Sequence, residues 1–311
     1  ISRAGDSINR LYFSDLIGAG AGTLLSLIGI NHLGVEATIY LAAAASGLAA
    51  VVYAWSAYRL PMRVCTVVTF ILVALLTIAA IGHEIFPVYS PPDKLFRSAM
   101  KPHYQKWNVV SKIDIVGPYN RPCGGGALST KYTGAMPLTW WIYQDGQAPT
   151  GIMNLPDGDV THLPILEYFL QGAPYVIKPN ADDALIIGMG GGPDVMISLF
   201  HGTKKVVGVE VNPVTVDADL QKYADFSGNL FNQPNVEVVN AEGRHYLTTT
   251  KKKFDVIQLS GVDTYSALSV GAYALAENYL YTVEAMENYW RHLKDDGVLS
   301  FSRWLFTPPR E

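Results

Sequence analysis

The sequence predicts an α/β fold: a doubly wound parallel sheet, with a small N-terminal antiparallel β-sheet, preceded by a three-helix transmembrane segment. Three observations carry that reading. Apolar runs of about 20 residues crowd the first 90 positions. Short β-branched and aromatic runs separated by turn residues follow from Trp107, and from Ala184 strand-like and helix-like segments alternate. Composition agrees, since 49% of the 311 residues are apolar and 16% are charged, against about 25% charged in an average soluble chain.

The membrane segment comes first. Leu11 to Ile30, Ala37 to Tyr58 and Val64 to Gly82 each match the roughly 20 residues needed to cross about 30 Å of hydrocarbon, and the second and third hold no charge. A signal peptide offers one short apolar core and a cleavage site, not three spans. Gly18, Gly20, Gly22 and the run Ala42 to Ala45 with Ser46 and Gly47 put small residues at helix-contact spacing. That spacing predicts packing against further transmembrane helices or subunits. Asp15, near the start of the first span, is an ionisable group at the membrane boundary, read as a functional residue or as an interfacial cap.

Charge excludes one partner class. Residues 1–90 carry Arg3, Arg10, Arg59 and Arg63 against Asp6, Asp15, Glu36 and Glu84, so the net charge of −4 falls on residues 91–311. With no basic run longer than Lys251-Lys252-Lys253, there is no electrostatic footprint for nucleic acid. Cys65 and Cys123 make neither a disulfide framework nor a zinc site, and no metal is expected. The sequence opens at Ile1 and stops at Pro308-Pro309-Arg310-Glu311, directly after a strand-like run, so it reads as a fragment whose main sheet is C-terminally incomplete.

Residues 91–182 read as a connector and a small β-sheet domain. Pro87, Pro91, Pro92 and Pro102 interrupt any helix around the connector. Val109 to Val116, Leu138 to Tyr143 and Gly151 to Asn154 read as antiparallel strands with a turn at Gln144-Asp145-Gly146, and residues 118–134, with Cys123-Gly124-Gly125-Gly126, as a loop. A helix is expected at Leu163 to Phe169. Residues 183–311 then alternate: strands at Ala184 to Gly188, Lys205 to Glu210, Asn235 to Val239, Phe254 to Ser260 and Gly297 to Trp304, helices at Val195 to Phe200, Pro213 to Phe226, His245 to Thr249 and Tyr281 to Leu293. A Rossmann-like sheet of this kind binds its ligand beyond the carboxyl ends of its strands.

Those ends carry the chemistry. Ile186-Ile187-Gly188-Met189-Gly190-Gly191-Gly192-Pro193-Asp194 sets a glycine-dense turn between a buried strand and a helix that can start at Pro193. Glu210 ends the next strand, 22 positions after Gly188, where an acid can hold both hydroxyls of a ribose. A dinucleotide fits poorly, because Pro193 stands where the fingerprint needs glycine and Asp194 would face a pyrophosphate at the helix N-terminus. A sulfonium nucleoside bearing a primary amine fits better, with Asp194 accepting from the amine and Glu242 placed to meet an adenine amino group.

These motifs resemble the spermidine synthase-like, polyamine aminopropyltransferase branch of the class I S-adenosylmethionine-dependent methyltransferase fold, over roughly Trp107 to Trp304. Leu185-Ile186-Ile187-Gly188 with Gly190, Gly191, Gly192 and Asp194 looks like the family's glycine-rich donor loop, Val209-Glu210 like its ribose motif, and Glu242-Gly243 like the Asp-Gly pair that holds adenine. Trp141 to Gly146, His162-Leu163-Pro164 and Ala276-Glu277 through Asp296-Gly297 are similar to flanking family segments, and the apolar front end resembles membrane-embedded bacterial members. One departure stands out. The family ends its fourth strand in a catalytic Asp, followed three residues later by a second Asp that binds the amine; this chain has Ser260 and then Asp263. A serine hydroxyl does not accept a proton from an alkylamine at neutral pH as a carboxylate does.

The resemblance implies a membrane-anchored transferase that takes S-adenosylmethionine or decarboxylated S-adenosylmethionine and moves an aminopropyl or alkyl group to a small-molecule acceptor. Gly188, Gly190, Gly191, Gly192, Asp194, Glu210, Glu242 and Gly243 would hold the donor, Asp263 with Ser260 the chemistry, and Tyr265, Glu277 and Tyr281 the acceptor. Two alternatives stay open: a degenerate, non-catalytic nucleoside-binding or assembly subunit of a membrane complex, and an ordinary methyltransferase. The expected location is the bacterial cytoplasmic membrane, in contact with the lipid bilayer, with residues 91–311 on the cytoplasmic side where the donor is made.

Overall fold

The structure, a computed structural model, describes residues 8–57, 59–81, 85, 96, 100–121, 127–262 and 279–303. The chain divides into two compact units, one of residues 1–89 with 106–109, the other of residues 90–105 with 110–311.

The first unit holds three long helices, α1 (Ile8–Leu33), α2 (Val35–Ala57) and α3 (Leu60–Ala80). Each is long and apolar enough to cross a membrane. Most of their large apolar side chains are exposed, Leu24, Ile28, Val52, Trp55, Leu72 and Ile78 among them, as suits helices whose solvent is lipid. Serine and threonine hydroxyls on these helices donate to the carbonyl one turn back: Ser14 to Arg10, Thr23 to Ala19, Ser46 to Ala42. Gly29 lets α1 approach α2, because a Cβ there would stand 2.8 Å from the Thr38 hydroxyl.

After the helices the chain forms two sheets. Strands β1 (Tyr104–Trp107), β2 (Lys112–Asn120), β3 (Leu138–Gln144) and β4 (Gln147–Met153) form the smaller one in the order β1-β2-β3-β4, with β2, β3 and β4 pairing antiparallel. Asp145 and Gly146, both at positive φ, close the β3–β4 hairpin, the two-residue turn that matches strand twist. The sequence placed the strand before this hairpin at Val109 to Val116. It begins instead at Lys112, leaving Val109 and Val110 exposed, and it takes in residues 118–120 that read as loop. Cys123 lies outside the described residues.

Strands β5 (Asp183–Ile187), β6 (Lys205–Glu210), β7 (Val236–Asn240), β8 (Phe254–Ser260) and β9 (Leu293–Ser302) make a five-stranded parallel sheet, order β7-β6-β5-β8-β9. This is the expected Rossmann-like sheet. One face packs α5 (Pro193–Phe200) and the segment from Val160 to Tyr175 over Ile186, Val206 and Val256. The other packs α7 (Gly243–Thr249), through Tyr246 and Leu247, and α8 (Val283–His292), through Ala285 and Tyr289, over Leu185, Ile187, Val207 and Ile257. Alternate side chains of β5 thus serve opposite cores, as a strand covered on both faces requires.

Two helical expectations are corrected. Leu163 to Phe169 is a chain of 3-10 turns, Val160–His162, Pro164–Tyr168 and Leu170–Gly172, because Pro164 and Gly172 interrupt an α-helical ladder; the α-helix that follows, α4 (Ala173–Ile177), is one short turn. The single helix expected at Pro213 to Phe226 is α6 (Pro213–Asp217) running into a π-helical turn, Ala218–Lys222. Tyr223 N–H reaches back five residues to the Ala218 carbonyl at 2.8 Å. That wider turn aligns Ala218 and Tyr223 on one face, where both pack with Val214 against Ile113, Ile115, Ile142 and Ile152 of the smaller sheet.

Candidate functional site

The carboxyl ends of β5, β6, β8 and β9 converge on one edge of the sheet. After β5 the chain turns through Gly188 to Gly192 into α5, whose N-cap is Gly192 with φ +83° and whose first residue is Pro193. Glycine is required at Gly191 by close approach, since a Cβ would stand 2.6 Å from the backbone of Gly151 on β4. At Gly192 the left-handed backbone and the Phe231 ring, 2.2 Å from a built Cβ, impose the same choice. The loop's amides are engaged by the protein: Gly188 N–H donates to the Val209 carbonyl, Gly190 N–H to Glu210, Gly191 N–H to the Thr150 hydroxyl and Gly192 N–H to the Met189 carbonyl. This is unlike a loop that cradles phosphate with its own N–H groups.

Glu210 ends β6 and is 8% exposed. Its Oε2 accepts from Gly190 N–H at 3.0 Å and its Oε1 from Asn212 N–H at 2.8 Å, so one carboxylate ties the glycine loop to the start of α6. Burial raises its pKa, opposed by the hydrogen bonds from Asn212 and Gly190. Asn212 in turn caps α6 by accepting from Val214 N–H, and donates to the Ser111 hydroxyl at the approach to β2. Asp219, in the π-helical turn, is fully buried, and among the described residues neither of its oxygens has a hydrogen-bond partner. Burial, then the charge of Glu210, push its carboxyl well above the usual range.

Asp194, in the first turn of α5, is 6% exposed. Its Oδ2 accepts from Gln258 Nε2 at 3.2 Å. Burial raises its pKa to about 6, with hydrogen bonds from Ser260 and Gln258 acting the other way. Among the described residues it has no ion pair, so the donors around it are neutral. Ser260 closes β8, pairs with Ser302 of β9 and accepts from Gln258 at 3.2 Å and from the Ser302 hydroxyl at 3.4 Å.

Glu242 stands apart in its bonding. It is the N-cap of α7, its oxygens accepting from Arg244 N–H at 2.9 Å and His245 N–H at 2.8 Å. Gly243 packs under Ile187, where a Cβ would stand 2.4 Å from that side chain. Tyr281 ends a 3-10 turn (Tyr279–Tyr281), its ring 5.8 Å from Phe301 and 5.0 Å from the Arg303 guanidinium. Asp263, Tyr265 and Glu277 lie outside the described residues. Gln258, Thr150, Asn212 and Asp219 belong to this region without having been singled out from sequence; the polar Gln258 inside an apolar strand was the signal available.

Residues 164–303 match the family model described as the spermine/spermidine synthase domain. Over those residues the chain is similar to a spermine/spermidine synthase domain. A polyamine aminopropyltransferase of Thermotoga petrophila is 31% identical over 132 residues, covering 42% of this chain and 42% of that one. One from Pyrobaculum calidifontis is 33% identical over 125 residues, 39% of this chain and 41% of that one. The aligned region is thus well under half of each relative. The solved spermidine synthase of Thermotoga maritima aligns at 21% identity and a TM-score of 0.41, covering 70% of this chain and 66% of that chain. Gly188, Gly190, Asp194, Glu210, Glu242 and Ser260 fall within the matched residues 164–303.

Proposed function

We propose that the chain is a membrane-anchored transferase that uses decarboxylated S-adenosylmethionine, or S-adenosylmethionine itself, to pass an aminopropyl or alkyl group to a small nucleophile. The observation that carries this reading is the joining of the glycine loop to Glu210: a buried carboxylate at the end of β6, already oriented by Gly190 and Asn212 N–H groups, has the acceptor oxygens a ribose diol needs. Asp194 supports an amine-bearing donor. Among the described residues its carboxylate is buried with neutral donors alone, and an ammonium group would supply a counter-charge.

In the reaction the acceptor's lone pair attacks the carbon attached to the sulfonium. The carbon–sulfur bond breaks, its electron pair stays on sulfur as a neutral thioether, and the acceptor's proton leaves to a base. Ser260 is a poor base at neutral pH, which makes Asp263 the residue for that step. Most of the acceleration comes from positioning. The apolar helices anchor the domain, and residues 91–311 face the cytoplasm.

The test is product mass. Full-length protein in detergent, incubated with each donor and a panel of polyamines, should release a thioether nucleoside together with an acceptor heavier by an aminopropyl group or a methyl group. The substitution of Ser260 for a carboxylate favours one other outcome, donor binding with no transfer, which identifies a nucleoside-binding subunit. Binding of neither donor overturns the reading.

A further inference from the structure

Gln258 is the least expected residue in the parallel sheet. It lies on β8 between Ile257 and Leu259, all three fully buried. An amide in such a strand costs about 1 to 3 kcal/mol unless it is bonded, whereas a leucine there would simply pack. Gln258 Nε2 stands 3.2 Å from each of Asp194 Oδ2, Ser260 Oγ and the Gln171 carbonyl. Three acceptors therefore surround a nitrogen with two hydrogens, and two of them are the side chains at the donor end of the sheet.

What this amide does for Asp194 follows from its chemistry. A lysine or arginine in its place would neutralise the carboxylate, and a leucine would leave it in apolar surroundings that favour the protonated acid. The neutral amide fixes the carboxylate and favours its charge without cancelling it. From the elements packed around Asp194, the facing groups are Gln258 and Ser260 of β8 and Tyr175 of α4, a phenol whose pKa burial pushes up. Among the described residues, none of the groups facing Asp194 carries a charge at neutral pH.

We propose that Gln258 is a positioning residue: by holding Asp194, it sets the site's preference for donors that bear a primary ammonium over nucleosides that lack one. The inference rests on the reading above that Asp194 meets the donor's amine. It gives β8 a role in donor selection, separate from the proton step assigned to Asp263.

The experiment compares two ligands on the full chain in detergent by calorimetry: decarboxylated S-adenosylmethionine and 5′-methylthioadenosine, which keeps the nucleoside and lacks the amine. In Gln258→Met, close in size, affinity for 5′-methylthioadenosine should stay within about twofold and report that the variant has folded. Affinity for the amine-bearing donor should fall about tenfold or more, the loss expected for a misplaced charge-assisted contact. The pH at which that affinity declines on acidification should move upward in the variant. Asp194→Asn should show the same collapse of the ratio between the two ligands. A parallel weakening of both ligands, or an unchanged ratio, in Gln258→Met overturns the inference alone; an unchanged ratio in Asp194→Asn overturns the assignment of Asp194 to the donor's amine, and the inference with it. A wild-type protein that binds neither ligand overturns the donor reading, and this inference with it.

Discussion

Glu210 and Gly190 are joined side chain to backbone at 3.0 Å across the carboxyl ends of β6 and β5. The bond makes the glycine loop's position depend on a single acid two elements away in the chain. Glu210→Ala strands two N–H groups, those of Gly190 and Asn212, at a cost of about 1 to 3 kcal/mol each if they stay dry. It also removes the acceptor proposed for a ribose diol. Calorimetry with the donor should show a loss of about one to two decades in affinity for Glu210→Ala and little change for Asp263→Ala. Equal losses would sink the assignment of the two acids to donor and proton step.

Asp194 predicts a pH dependence with a definite sign. A carboxyl raised from 3.8 to about 6 in the folded state binds its proton more tightly there than in the unfolded chain. Its contribution to stability is full below pH about 4 and is lost as pH rises through about 6, a swing of about 3 kcal/mol. Thermal melts of Asp194→Asn should therefore gain on the wild type between pH 4 and 7 and keep that lead at pH 8. Amine-donor binding runs the opposite way, rising as the carboxyl ionises. A variant whose melting curve tracks the wild type at every pH would show that the buried acid is not titrating.

How much of this was legible beforehand depends on where local pattern and packing agree. The strands at Lys205 to Glu210 and Phe254 to Ser260 were readable because apolar runs buried on both faces leave no alternative of that length, and the acid at Glu210 stood at the right place after them. The π-helical turn at Ala218–Lys222 was hidden, since a helical pattern from Pro213 to Phe226 carries no local mark of an extra residue per turn. Its cause is the smaller sheet, which Ala218 and Tyr223 must both reach. Val109 and Val110 misled for the opposite reason: strong strand formers, they are left exposed. Gln258 matters only through Asp194, 64 residues away, a juxtaposition that spacing along the chain cannot reveal.

The other end of the sheet supplies a contrast in magnitude. Asp255, at the start of β8, accepts from the N–H groups of Asp182 and Asp183 at 2.9 Å and from Lys294 at 2.8 Å. Burial acts to raise its pKa, but Lys294 and the N–H of Asp183 outweigh it and leave the carboxyl below its ordinary value. This acid therefore adds stability above pH about 4 that is lost as pH falls further. Asp255→Ala should cost about 3 kcal/mol, because Lys294 and two backbone N–H groups lose a partner. The pair of Lys204 and Asp182 is exposed on both sides, and Lys204→Met should leave the melting temperature unmoved. Comparable losses in the two variants would refute the distinction.

The charges beside the spans and the location of the proposed donor point to opposite sides of the membrane for residues 91–311. Arg3, Arg10, Arg59 and Arg63 lie in short segments beside the spans, and such charges mark the cytoplasmic side. With three crossings, that count exports everything after α3. Against it, Lys94, Arg97 and Lys101 follow the end of the third apolar run at Gly82 within the distance over which the bias acts, about 15 to 20 residues. The proposed donor is made and kept in the cytoplasm, so an exported domain would have nothing to transfer. The chemistry outweighs the arginine count, and residues 91–311 should face inward. A variant with Cys65 and Cys123 both changed to serine and an exposed reporter introduced by Lys251→Cys tests it in intact cells with a membrane-impermeant thiol reagent, as does Cys123 in the parent chain. Labelling only after lysis is the expected result. Labelling before lysis puts the domain outside, away from any cytoplasmic donor, and the transferase reading fails with it.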